Sequence, residues 1–211
     1  MRKHFSLFFY LLISFGSSCS FADDRSDFFR AIALDNARGV THALQQGFDP
    51  NTPDEKGQLA LYVALREGSA RVVEALLAQP GIRVDVANAA GETPLMMAAL
   101  RGETAWVHRL LGLGAAVHRE GWSPLHYAAT GPEAKTVAML LDRGAPIDAP
   151  SPNRSTPLMM AARYGSEDSV NLLLARGASL RVRNDKDMGA ADFARSAGRD
   201  ALADRLERAA R

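Results

Sequence analysis

Cysteine is all but missing from this chain of 211 residues, where Cys19 is the only one. A lone cysteine near the start excludes an internal disulfide framework and a multi-cysteine zinc site. Long hydrophobic runs are scarce as well. The apolar stretch from Phe5 to Phe15 falls short of the roughly 18 to 20 residues that span a bilayer, so no permanent transmembrane helix is expected. Neither sign of charge dominates: 25 Lys+Arg stand against 24 Asp+Glu, a formal net of +1. That balance suggests no nucleic-acid binder, and the late arginines, among them Arg195, Arg199, Arg205 and Arg208, read as the charged face of a cap. Histidine is thinly scattered, as His4, His42, His108, His118 and His126. None forms a His-Glu-x-x-His pair, no glycine loop precedes a lysine and Ser/Thr, and no Gly-x-Ser-x-Gly occurs. Without convergent nucleophile, base and stabiliser groups, no enzyme, cofactor or metal site is expected.

What is present begins with a leader. Residues 1–22 have a basic start at Arg2 and Lys3, the short apolar run, and small residues ending in Ser20-Phe21-Ala22. That is the three-part layout of a secretory signal peptide, with cleavage expected after Ala22. The mature chain, residues 23–211, would then carry 23 Lys+Arg against 24 Asp+Glu, a formal net of −1, and no thiol. An alternative is a lipid anchor on Cys19, although Gly16 stands where a lipobox usually has leucine. Either route exports the protein to a periplasmic or secreted location.

The rest of the chain repeats. Gly121-Trp122-Ser123-Pro124-Leu125-His126-Tyr127-Ala128-Ala129 has imperfect copies starting at Gly57, Gly91 and Arg154, and a worn one at Asp187. Steps between copies are 34 (Gly57 to Gly91), 30 (Thr93 to Ser123), 33 (Ser123 to Thr156) and 33 (Thr156 to Gly189). Within each copy a Ser or Thr can cap a helix, proline suits its first turn, and the Leu and Ala-Ala positions form an apolar face. A second helical stripe follows, Val72-Val73 with Leu76-Leu77, then Val107, Val137 and Val170 with their Leu-Leu pairs. Gly114, Gly144 and Gly177 close these second helices. The step of 30 places a three-residue deletion between Ala115 and Glu120.

This period and motif resemble the ankyrin repeat, over about Asp27 to Arg208. The resemblance implies an all-α ankyrin-repeat solenoid of about six helix-turn-helix units with short β-turn loops and atypical N- and C-terminal caps. The approximate units are 24–53, 54–87, 88–118, 119–150, 151–183 and 184–211. It also makes His126 the motif's structural histidine. Met96 and Met159 replace it in the neighbouring units, where they are expected to lose the histidine's hydrogen bond to the capping residue and to fill the place apolarly.

Function follows from the resemblance as protein binding without catalysis, through the concave groove of the stack; it does not identify the partner. The expected contact residues are Glu92, Leu100, Arg101, Trp122, Tyr127, Asn153, Arg163, Tyr164 and Met188. Trp122 leads them because it occupies the variable place before Ser-Pro, and Trp, Tyr and Arg concentrate at binding hot spots. Packing over the shortened loop is the other reading of the same side chain. Two narrower roles stay open: an immunity or antitoxin protein that neutralises a secreted enzyme, and an accessory factor for a periplasmic enzyme, such as in peroxide defence. Capped ends predict a monomer.

Overall fold

The computed structural model describes the backbone of residues 18–211 and side chains from Asp23 onward. The expected leader, its cleavage point and the lipid anchor at Cys19 lie outside those described side chains. The described residues form six consecutive helix pairs: α1 Ser18–Ala33 with α2 Ala37–Gln45, α3 Ala60–Glu67 with α4 Ala70–Leu77, and α5 Pro94–Leu100 with α6 Thr104–Gly112. Then come α7 Pro124–Thr130 with α8 Ala134–Asp142, α9 Pro157–Tyr164 with α10 Glu167–Ala175, and α11 Ala190–Ser196 with α12 Asp200–Ala209. Each pair is one unit.

The motif explains where the first helices start. Thr93, Ser123 and Thr156 are extended N-caps, and Pro94, Pro124 and Pro157 follow at the first helical position, where a missing N–H costs nothing. Thr93 Oγ1 accepts the Met96 N–H at 3.3 Å, and Thr156 Oγ1 that of Met159 at 3.4 Å. The structure corrects the expectation for the two methionines. Their sulfurs each accept the N–H of the cap residue at 3.4 Å, in the place where His126 Nδ1 takes the Ser123 N–H at 3.2 Å. A thioether is a weak acceptor, but an acceptor none the less. What methionine cannot do is donate on its far side. Because His126 Nδ1 accepts an N–H, its proton lies on Nε2, which donates to the Ser155 carbonyl in the next unit at 3.0 Å.

Stacking buries the apolar stripes in one continuous core. Leu95, Leu125 and Leu158 of the first helices are fully buried, as are Val107, Val137, Val170, Leu110, Leu140 and Leu173 of the second. Phe28, Ile32 and Val40 close one end; Phe193, Leu202 and Leu206 close the other. The first helices pack on one another more closely than the second helices do. Small residues allow it: a Cβ added to Gly165 would lie 2.1 Å from the Ala129 carbonyl oxygen, and one on Gly131 2.6 Å from that of Leu100. The stack therefore bends so that first helices and loop tips line its concave side.

The loops repeat as well. Asp54, Asn88, Ser151 and Asn184 each donate a backbone N–H to the carbonyl four residues on, at 2.9 to 3.0 Å, making the tip of a short hairpin. His118 and Trp122 hold the equivalent places in the fourth unit, and among the described residues no such bond joins them. Beneath the tips a second row ties neighbouring loops together. Asn51 Oδ1 accepts the Arg83 N–H at 2.9 Å and Asp148 Oδ1 the Ser179 N–H at 3.0 Å. Asp85 and Ala116 are the matching pair at the shortened connection, and there Asp85 Oδ1 is buried without a partner; its other oxygen lies 3.6 Å from Arg119. On the other side of the shortened connection the place of the donor is taken by Pro146, which has no N–H to give.

Candidate partner-binding groove

The concave side opens into an apolar cleft of about 280 Å³ lined by Leu100, Trp122, His126, Tyr127, Thr130 and Met160. Its walls come from three consecutive units: Leu100 ends α5, Trp122 stands at the loop before α7, His126, Tyr127 and Thr130 lie on α7, and Met160 on α9. Trp122 is half-buried. Its ring meets His126 edge-on, with centroids 5.3 Å apart and planes at 78°. The tryptophan thus packs on the motif histidine while its side chain also lines the cleft. His126 itself is 1% exposed. Burial pushes its imidazole below the ordinary value, against the opposite pull of the Ser155 carbonyl, so it sits as a neutral structural group under the indole.

Beside the cleft lies a carboxylate. Glu92, at the tip of the third unit, is half-buried. Its Oε2 accepts the Tyr62 hydroxyl at 2.5 Å and the Asn88 amide at 3.0 Å, while Oε1 accepts the Tyr127 hydroxyl at 3.0 Å. Burial alone would raise its carboxyl; the three hydrogen bonds outweigh that and hold it below the ordinary range. The tyrosines answer in the other direction. Burial and then the Glu92 charge push Tyr62 up to about 12 and Tyr127 further still. Tyr127 therefore serves both places, its ring in the cleft and its hydroxyl on the carboxylate.

The remaining candidates are spread more widely. Arg101 leans back over Gly68 and donates to the Arg66 carbonyl at 3.3 Å, a tie to the second unit. Arg163 and Tyr164 pair with each other, the guanidinium 5.1 Å from the ring centroid, and Tyr164 is 56% exposed. Asn153 braces its own tip, accepting from the Ser151 hydroxyl at 2.6 Å. Met188 closes the sixth unit's hairpin and packs partly on the core. Of the sequence-derived set, then, Leu100, Trp122 and Tyr127 share one cleft and Glu92 joins it through Tyr127. Met160 and Thr130 were missed, although the register held the signal: they occupy the repeat positions of Tyr127 and Leu100.

The family description "Ankyrin repeats (3 copies)" matches residues 28–120 and, overlapping, 102–184. The chain belongs to the ankyrin-repeat family. It is 34% identical over 172 residues to probable E3 ubiquitin-protein ligase XBOS31 of Oryza sativa subsp. japonica, covering 77% of this chain and 35% of that protein. It is 26% identical over 197 residues to Protein glp-1 of Caenorhabditis elegans, covering 86% of this chain and 15% of that protein. The chain thus spans well under half the length of these curated relatives. Among solved structures it resembles a chain from the complex of Bd0816, a predatory endopeptidase from Bdellovibrio bacteriovorus, with immunity protein Bd3460. The TM-score is 0.73 at 26% identity, covering 86% of this chain and 97% of that one.

Arrays of this family are protein-interaction modules. Among the described residues, no helix is long and apolar enough to cross a membrane.

Proposed function

We propose that the chain is a non-catalytic binding module, exported by its leader and monomeric, that takes a segment of a protein partner into the concave cleft. The observation that carries this reading is the cleft itself. Leu100, Trp122, Tyr127 and Met160 present apolar surface together, where isolated exposed side chains would mean little. Glu92 stands beside it through its bond to Tyr127, and Arg101, Asn153, Arg163, Tyr164 and Met188 are assigned to the partner as contacts farther along the stack.

The likeness to a chain from an endopeptidase–immunity complex favours one narrower form of this reading, neutralisation of an exported peptidase. Trp122→Ala tests the common core of both. Truncating a central anchor should weaken binding by about 2 kcal/mol or more, roughly 30-fold, while the melting midpoint stays near that of the parent. Affinity capture from the exported fraction, quantified for parent and variant side by side, reads the loss. Undiminished capture by a folded Trp122→Ala protein would place the partner on another surface. If the captured protein is a peptidase, equimolar chain should abolish its turnover.

A further inference from the structure

Carboxylates in this protein are commonly matched by a cation: Asp35 with Arg71, Asp142 with Arg176, Asp192 with Arg183, Asp204 and Glu207 with Arg195, and Glu167 with Arg205 all pair within 4.0 Å. Glu92 is different. It is held in place by three neutral donors, Tyr62, Asn88 and Tyr127, and among the described residues no cation lies within ion-pair distance of it. Arg66 acts on it through space, but that guanidinium is bound to Glu67 at 2.6 Å and to Gln58 at 2.7 Å. Neutral donors fix a charge without cancelling it, and a half-buried charge gains most from a matching one.

The valence of the group points the same way. Each carboxylate oxygen accepts two hydrogen bonds. Oε2 has both, from Tyr62 and Asn88, whereas Oε1 has one, from Tyr127. The oxygen with the single bond is the one tied to Tyr127, whose ring lines the apolar cleft. The carboxylate and the cleft thus share Tyr127, and a segment seated on its ring passes beside Glu92.

We infer that the cleft and Glu92 form one two-part recognition site for a protein segment that places a large apolar side chain against Trp122 and an adjacent arginine or lysine on the Glu92 carboxylate. This rests on the groove reading above and adds to it the charge of the partner. Specificity is the consequence: the cleft takes apolar side chains alike, and the carboxylate selects among them by the residue alongside.

The test uses N-acetyl-Phe-Arg-amide against N-acetyl-Phe-citrulline-amide, which keeps the shape of arginine and removes its charge. Binding is followed by the fluorescence of Trp122, with Trp122→Phe as the control that isolates its signal from that of Trp106. The arginine peptide is expected to bind about tenfold more tightly, the order that a hydrogen bond to a charged group supplies. In Glu92→Gln that preference should vanish while the citrulline peptide binds as before. Because the peptide comparison is made first on the parent protein, a misfolded variant cannot decide the matter. Equal binding of both peptides overturns the charge inference and leaves the groove reading standing. A preference for N-acetyl-Phe-Glu-amide overturns it outright. If no peptide perturbs Trp122 at millimolar concentration, the cleft is not a side-chain site, and the groove reading falls with it.

Discussion

The fourth and fifth units are built on one frame and differ at two places that turn out to be connected. The fifth has a complete loop tip, closed by the Ser151 N–H on the Ser155 carbonyl at 2.9 Å, and carries Met159 in its first helix. The fourth has a shortened loop with no equivalent bond, and it carries His126 instead. That histidine donates to the same Ser155 carbonyl. The unit with the poorer loop is thus fastened to its neighbour by a buried bond that the unit with the better loop does not make. In a one-dimensional stack, where each unit meets only those beside it, a weakness at the rim can be offset by a bond deeper along the same seam.

Three sets of substitutions would break or sharpen that comparison. The largest effect belongs to the shared frame: Leu125→Ala should cost about 2 to 5 kcal/mol by cavity formation in the middle of the stack. Leu206→Ala in α12, where neighbours stand on one side, should cost less. Denaturant midpoints with unchanged slopes would show the gradient, and equal losses would mean that burial counts here irrespective of position.

His126→Met comes next. It keeps a cap acceptor of the kind seen at Met96 and Met159 and removes the bond to Ser155, so the cost should be about 1 to 2 kcal/mol. The same variant should change the pH response. Burial holds the folded imidazole below its ordinary value of 6.5, so the unfolded chain takes up a proton first as pH falls. The stability His126 contributes is complete above about 6.5 and declines as pH drops from there toward the folded value. Thermal melts from about pH 7.5 to about pH 5 should fall more steeply for the parent than for His126→Met; parallel curves would contradict the assignment.

The smallest effect lies in the loop row. Asp148→Ala removes the acceptor of the Ser179 N–H and should cost about 0.5 to 1.5 kcal/mol. Asp85→Ala, at the seam with the shortened connection, removes no such bond and should stay within about 0.5 kcal/mol. A larger loss at Asp85 would show that its pairing with Arg119 carries the seam.

Much of this was legible in the sequence because it is periodic. The cap, proline and leucine of each motif recur at nearly fixed steps, and a pattern that repeats announces which side of each helix is buried; the Val and Leu stripes of the second helices did the same. Trp122 stood out for the converse reason, as a large side chain where the repeat requires none. Glu92 was picked as a contact residue, but its setting could not be read. The donors that hold it, Tyr62 and Tyr127, lie 30 and 35 residues away, and nothing in either tyrosine's own motif marks its hydroxyl for a neighbour. The methionine sulfurs were misjudged on chemistry rather than position: apolar bulk was expected, and a weak acceptor aimed at the cap was overlooked. Arg199 was one of many late arginines, yet its Nη1 reaches the Ala161, Ala162 and Gly165 carbonyls at 2.9 to 3.1 Å, satisfying the end of α9 from the next unit.

The row of loop-to-loop bonds beneath the tips bears on how the array deforms. It is present where Asn51 meets Arg83 and where Asp148 meets Ser179, and it is missing on both sides of the shortened connection before α7, first at Asp85 and then at Pro146. A spring with two unlaced coils stretches there before it stretches elsewhere. Around the cleft the rim is thus unlaced while the floor stays tied, through the packing of α5, α7 and α9 and the bond from His126 to Ser155, so any adjustment to an incoming side chain falls to the loop that carries Trp122.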